Sequence, residues 1–350
     1  MRRDNYFAPQ KERVKALSVA CLDRSYFSRV DFFSRMRYCE DMVTVVTSVD
    51  LPVDEKLTIK KNTIKGPGSQ KRFCLLTGIH GDELEGQLVC HEVQQKINAE
   101  PQNFHGTLDI YPALNPLGID SITRGIPAFD LDMNRTFPGE TNGTMTEYIA
   151  SKILEDASGA DFALDIHASS IFIREQPQVR IPPQFKDKIL PAARLLNMDL
   201  IWVHNSGSVQ ENSLVYTLNQ NGTPAAVVDM GIAMSCARDL SAQLTQGIFC
   251  LLKELGMWSG ETAAPREPVY SDKDSDISVL VSTTAGFFVR KVECGARVKK
   301  GDLLGEIINP LEGKVLTQIK APAAGLLFTL REYPIVEIGS MLGRILNEGN

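Results

Sequence analysis

What constrains this chain most is a change of rhythm. From residue 43 to 255, short apolar runs alternate with helical patterns; from residue 277 onward, short strand signals and glycines replace the helices. The runs Val43–Val49, Leu57–Ile64, Phe73–Gly78, Thr107–Ala113, Phe162–Ile166, Leu200–Val203 and Ala225–Val228 read as strands, several of them buried on both faces. Between them, Glu83–Asn98, Thr146–Ala157, Phe185–Asn197 and Ala237–Leu255 carry apolar residues at helical spacing. In the first of these, Leu84 and Leu88 lie one turn apart, as do Val89, Val93 and Ile97. Strands that alternate with helices predict an α/β fold, a mixed sheet covered on both faces.

The polar stretch Ser259–Asp276, with Pro265 and Pro268 and no period, reads as a linker. Beyond it the chain repeats itself. Ala285–Ile307 and Ala324–Ile345 both run from Ala-Gly into apolar residues, through a turn, to Leu-Gly-x-Ile. A two-fold repeat of short strands predicts a small all-β domain whose halves share one core. The expected organisation is therefore a domain over 1–258, a linker over 259–276 and a β domain over 277–350. A chain of 350 residues exceeds one ordinary domain of ~100–150, which agrees. The first forty residues show no clear period; a helix is the only expectation there.

Charge and cysteine usage narrow the partners. Lys and Arg number 37 against 43 Asp and Glu, a net charge of −6, so no basic stripe is present to neutralise nucleic-acid phosphates. No apolar run approaches the ~18–20 residues of a membrane span. The basic start MRRDNYFAPQKERVKA lacks the apolar stretch of a secretory signal. Seven scattered cysteines without a C-x-x-C pair point to free thiols in a reducing compartment, the cytoplasm. A homo-oligomer is compatible with the sequence.

The chemistry concentrates in a few segments. Gly78-Ile79-His80-Gly81-Asp82-Glu83 follows a strand signal and opens a helix, where open α/β sheets place their sites. His80 and Glu83, three apart, can converge on one metal ion; the plain alternative is a helix start with acids favoured by the macrodipole. A third ligand is offered by His167 at the end of the apolar run in Leu164-Asp165-Ile166-His167, with Asp165 placed to orient it. Asn134-Arg135, in the loop Asp130–Gly139, has the donors of a fixed carboxylate receptor. The alternative is an arginine tying down its own loop through carbonyls or through Asp130 and Asp132. His91, His105 and His204 read as structural.

Taken together, H-G-D-E, then Asn115-Pro116-Leu117-Gly118, then D-x-N-R-x-F-P-G, then D-I-H resemble the succinylglutamate desuccinylase/aspartoacylase family, from about Phe73 to Leu255. The resemblance implies a zinc-carboxypeptidase-like fold and a zinc-dependent hydrolase that cleaves the amide of an N-acyl amino acid. It implies zinc on His80, Glu83 and His167, a substrate carboxylate on Asn134 and Arg135, and Arg124 as an oxyanion aid. The family's general base is a glutamate at a strand end. The matching segment, Val227-Val228-Asp229-Met230-Gly231, holds Asp229, one methylene shorter. Glu211, in the loop Ser208–Ser213, is a substitute candidate for that base. The β repeat resembles the lipoyl/biotinyl-like barrel-sandwich fold, yet Lys314 in Glu312-Gly313-Lys314-Val315 lacks the Asp-Lys-Ala or Met-Lys-Met context of a modified lysine. The rivals are a peptide metallocarboxypeptidase and a non-catalytic metal- or ligand-binding protein, the latter because of Asp229.

Overall fold

The structure, a computed structural model, describes residues 39–127, 131–204 and 211–348. The helix expected in the first forty residues lies outside them. Within them, eleven-residue strands β1 (Glu40–Asp50) and β2 (Lys56–Gly66) form an antiparallel hairpin. Next come β3 (Arg72–Thr77), helix α1 (Glu85–Ala99) and β4 (Gly106–Tyr111). Short helix α2 (Pro116–Ser121) and helix α3 (Met145–Ala157) precede β5 (Phe162–His167). Then follow β6 (Ile173–Ile181), α4 (Lys186–Ala193), β7 (Leu200–Val203), α5 (Leu214–Gln220), β8 (Ala225–Gly231) and α6 (Arg238–Glu254).

Strands β4, β3, β5 and β8 lie side by side and parallel in the centre of a large mixed sheet. From β3 the chain goes first to β4 on one side and then to β5 on the other. This reversal makes the β3–β5 boundary a topological switch point, where a crevice opens beyond the strand ends. Helices α1 and α6 cover one face, burying Val89, Val93, Ile97, Leu244, Ile248 and Leu252 against β3, β5 and β8. Helices α3 and α5 cover the other through Ile149, Ile153, Leu214 and Leu218. Local sequence sets where they begin. Thr144 and Glu147 form a reciprocal capping box on α3, Ser213 caps α5, and Asn115 with Pro116 starts α2. No helix of the described residues is long and apolar enough to cross a membrane.

The 259–276 stretch is not featureless. Val269–Ser271 forms β9, parallel to β7, because the exposed edge of β7 offers it a ladder. Strands β10 (Ile277–Val281), β11 (Gly286–Arg290), β12 (Arg297–Val298) and β13 (Leu303–Asn309) follow. The last four are β14 (Lys314–Lys320), β15 (Gly325–Arg331), β16 (Ile335–Val336) and β17 (Met341–Asn347).

The sequence repeat is a structural exchange. Strand β11 of the first half pairs with β16 of the second, and β15 of the second pairs with β12 of the first. Phe288, Leu304 and Ile307 from one half meet Leu327, Leu342 and Ile345 from the other in one core. Neither half can bury these residues alone, which is why the repeat must close on itself. Strands β14, β13, β11 and β16 make a separate four-stranded sheet, whereas β15, β17 and β10 continue the large one. They do so because β15 pairs antiparallel with β6. Lys314, at the exposed start of β14, pairs with Glu312.

Candidate metal centre and cleft

Three buried side chains meet at the switch point. His80 follows β3, Glu83 precedes α1, and His167 is the last residue of β5. His80 Nδ1 and His167 Nδ1 each lie 2.8 Å from a different oxygen of Glu83 and 3.1 Å from one another. The backbone N–H of Ala168 also donates to Glu83 at 3.1 Å.

The opposite ring nitrogens are held as firmly. His80 Nε2 donates to Asp132 at 2.9 Å, and His167 Nε2 donates to Asp165 at 2.9 Å. Such carboxylate partners keep the proton on Nε2 and turn the Nδ1 lone pair toward the common point. Close packing of the motifs holds the arrangement in place. A Cβ on Gly81 would lie 2.0 Å from the backbone carbon of Gly118, so H-G-D-E and N-P-L-G interlock without room for a side chain. Gly81 N–H donates to the carbonyl of Arg124 at 3.2 Å, tying down the arginine loop.

The electrostatics are those of a cation receptor. Burial opposes protonation of His167, but Asp165 and Glu83 outweigh it and hold its pKa well above the ordinary imidazole value. For His80, burial is likewise overcome by Glu83 and Asp132. Burial would raise the Glu83 carboxyl; His80 and His167 instead hold it far below the usual carboxylate range. Three carboxylates, Glu83, Asp132 and Asp165, thus surround two buried imidazoles. Two nitrogens and one carboxylate within 4.8 Å of one another suit a divalent cation with nitrogen and oxygen ligands. If the carboxylates set ring orientation, Asp165→Asn should weaken metal affinity about 10–100-fold without changing the metal-to-protein ratio at saturation. A competition titration against a coloured chelator measures this, and unchanged affinity would assign Asp165 a packing role only.

The triad opens into a cleft of about 410 Å³. Arg124, Asn134, Arg135 and Asp229 all line it. Arg124 donates to Glu83 at 2.8 Å and to Asp132 at 3.3 Å. Asn134 Oδ1 accepts from the N–H of Leu214, leaving its amide nitrogen as the group suited to a ligand. Arg135 donates to the carbonyl of Asn134 at 2.8 Å, and its side chain remains 41% exposed, enough to meet a ligand. Asp229 is the Cα partner of His167 across the β5–β8 ladder. Glu211 is exposed and does not line the cleft. His204 stacks on Trp202 at 3.9 Å; burial, with Arg180 and Arg344 nearby, pushes its pKa down to about 3.

The sequence reading missed the cleft's far wall. Glu175 and Arg180 come from β6, and Met341 and Arg344 from β17. Alternation of Val179 and Ile181 with Gln178 and Arg180 was the signal available for β6. A larger groove of about 910 Å³ beside β1 and β2 carries none of this chemistry. Its charges pair among themselves, Lys61 with Asp156 at 2.8 Å and Arg72 with Asp109 at 2.6 Å.

The product-bound structure of the ectoine utilization protein EutE (DoeB) from Ruegeria pomeroyi superposes with a TM-score of 0.75, covering 89% of this chain and 95% of that one at 23% identity. A succinylglutamate desuccinylase/aspartoacylase from Rhodobacter sphaeroides superposes with a TM-score of 0.73, covering 89% and 96% at 20% identity. At such identities the likeness is one of fold. Among curated proteins, the N-alpha-acetyl-L-2,4-diaminobutyric acid deacetylase of Halomonas elongata is 23% identical over 301 residues, 81% of this chain and 84% of that protein. Residues 69–255, which carry the triad, the arginine loops and Asp229, match the model of the succinylglutamate desuccinylase/aspartoacylase catalytic domain. The chain belongs to the succinylglutamate desuccinylase/aspartoacylase family.

Proposed function

We propose that this chain is a zinc-dependent deacylase that hydrolyses the amide bond of an N-acyl amino acid or a similar small carboxylate-bearing amide. The observation that carries the reading is the buried Nδ1–carboxylate–Nδ1 triad opening into a cleft with Asn134 and Arg135 on its lining. Three protein ligands suit a catalytic zinc, and His80, Glu83 and His167 are the residues to hold it. When bound there, zinc supplies Lewis acidity toward water and the amide carbonyl.

The chain's own groups then divide the work. Asp229 takes the proton of the attacking water and returns it to the departing amine. Arg124 offers its guanidinium to the oxyanion that develops on the carbonyl, a contribution worth ~10²–10³ in rate in comparable sites. Asn134 and Arg135 grip the substrate carboxylate and fix which bond meets the triad. The scaffold on this reading is a zinc-carboxypeptidase-like domain with a barrel-sandwich β module, and the free thiols suit a reducing cytoplasm. The curated relative's name, a deacetylase of an N-acetylated amino acid, supports the reaction type.

Zinc-loaded protein assayed for amine release should cleave N-acyl amino acids and leave short peptides largely intact. Preference for peptides would favour a carboxypeptidase. The ion pair between Asp229 and Arg180, at 3.1 Å, supports one other reading, a ligand-binding protein without turnover. Silence across the whole panel would decide for it. Within the deacylase reading, Arg135→Ala should raise KM for carboxylate substrates about 10–100-fold, the equivalent of a lost charge-assisted bond of ~1.5–3 kcal/mol. The corresponding carboxamide analogues should be almost unaffected. Equal losses on both would show that Arg135 only ties its loop together.

A further inference from the structure

Asp229 is not a lone carboxylate beside the triad. Its Oδ2 pairs with Arg180 Nη1 at 3.1 Å. The other terminal nitrogen of Arg180 donates to Glu175, a residue 4% exposed. The second oxygen of Glu175 accepts from Arg344 Nη1 at 3.0 Å and from Thr329 at 3.4 Å. Both guanidiniums also lie over the ring of Trp202, at 5.9 Å for Arg180 and 5.5 Å for Arg344.

The four charges therefore form a chain that starts on β8, crosses β6 and ends on β17, and they cancel in sign. Each link needs the next. A carboxylate buried as deeply as Glu175 is costly unless paired. Burial does push its carboxyl up, with Arg180 and Arg344 opposing. Without Arg344, Glu175 has one cation left and competes with Asp229 for it. Arg180 spans two carboxylates with two nitrogens, so its planar fork is aimed by both.

We propose that Arg180 is a positioning residue for Asp229 and that Arg344, supplied by the C-terminal β region, holds the pair in register. The β region is then an obligatory part of the reacting site, not an appendage to it. Arg180 lines the cleft, but on this reading it acts through the carboxylate of Asp229. The inference rests on the proposed function, in which Asp229 moves the proton.

The test is a kinetic cycle in the full-length, metal-loaded protein with an N-acyl amino acid substrate. Arg180→Gln should lower kcat by about 30–100-fold, the size expected of a misplacement near 1 Å, with KM moved less than about twofold and metal content unchanged. Arg180→Lys should recover part of that loss, and Arg344→Gln should lower kcat by about tenfold through the same chain. The decisive variant is the double one. Asp229→Asn with Arg180→Gln should be no slower than Asp229→Asn alone, because a positioning residue has nothing left to position. If Arg180→Gln fails to fold, the same cycle is run with Arg344→Gln. Losses that multiply, or a change confined to KM, would overturn the inference. So would a lower Tm with unaltered kcat. Wild-type protein that turns over no N-acyl amino acid would instead bring down the proposed function, and the inference with it.

Discussion

Replacing His80 by alanine is expected to empty the metal centre and reduce turnover by ~10³-fold or more. Protein purified without chelator should carry close to one zinc per chain, and the variant almost none. The magnitude follows from what is removed. A bound metal contributes several kcal/mol of transition-state stabilisation, and each ~1.4 kcal/mol is a factor of ten. The local reason is that His80 ties together two halves of the centre. Its Nδ1 meets Glu83 at 2.8 Å while its Nε2 holds Asp132 at 2.9 Å. Asp132 in turn accepts from the N–H of Asn134 at 2.9 Å, so loss of the imidazole also loosens the loop that presents Arg135. Elemental analysis of the purified variant checks the prediction. Unchanged metal content would remove His80 from the ligand set.

Asp229→Asn is expected to cost about 10²–10⁴ in kcat, the range of a lost general base, with zinc content unchanged. Asparagine keeps the shape and can still accept from Arg180, so the variant removes proton transfer and little else. Aspartate also starts at a disadvantage. Its carboxylate sits ~1.5 Å, one bond length, short of where a glutamate would place it. Asp229 is the ladder partner of His167, so its backbone lies beside a member of the triad. Full activity in Asp229→Asn would move the base elsewhere. Glu211 is exposed and off the cleft, so Glu175 is the next residue to replace.

Much of the fold was legible locally. The run Leu200–Val203 is a strand with the same bounds in sequence and structure, and Ala237–Leu255 differs from helix α6 by one residue at each end. These segments are read well because burial dictates their composition. A strand covered on both faces must be apolar throughout, and a helix on a sheet must repeat every three to four residues. The stripe on α1 proved narrower than its composition suggests. Val89, Val93 and Ile97 are buried, whereas Leu84 and Leu88 are only half-buried at the margin.

The near side of the site can be read along the chain. A histidine at the end of an apolar run lies where a parallel strand meets its crevice, and His80 and Glu83 are close enough in the chain to converge without help from the rest of the fold. The far side depends on contacts that exist only in the folded chain. Strand β6, reading IREQPQVRI, looks like a loop because charges and Pro177 interrupt it. The fold tolerates the proline where the β6–β8 register shifts, between Glu175 and Gln178. It tolerates the charges because each is paired: Arg174 with Glu332 just beyond β15, Glu175 with Arg344 on β17, and Arg180 with Asp229 on β8. One of those partners, Arg344, lies 169 residues from Glu175 in the chain. A pattern read along the chain cannot show that pairing, since what makes a buried glutamate stable beside two half-buried arginines is their distance in space. That distance exists only after β15 has added the C-terminal repeat to the edge of β6.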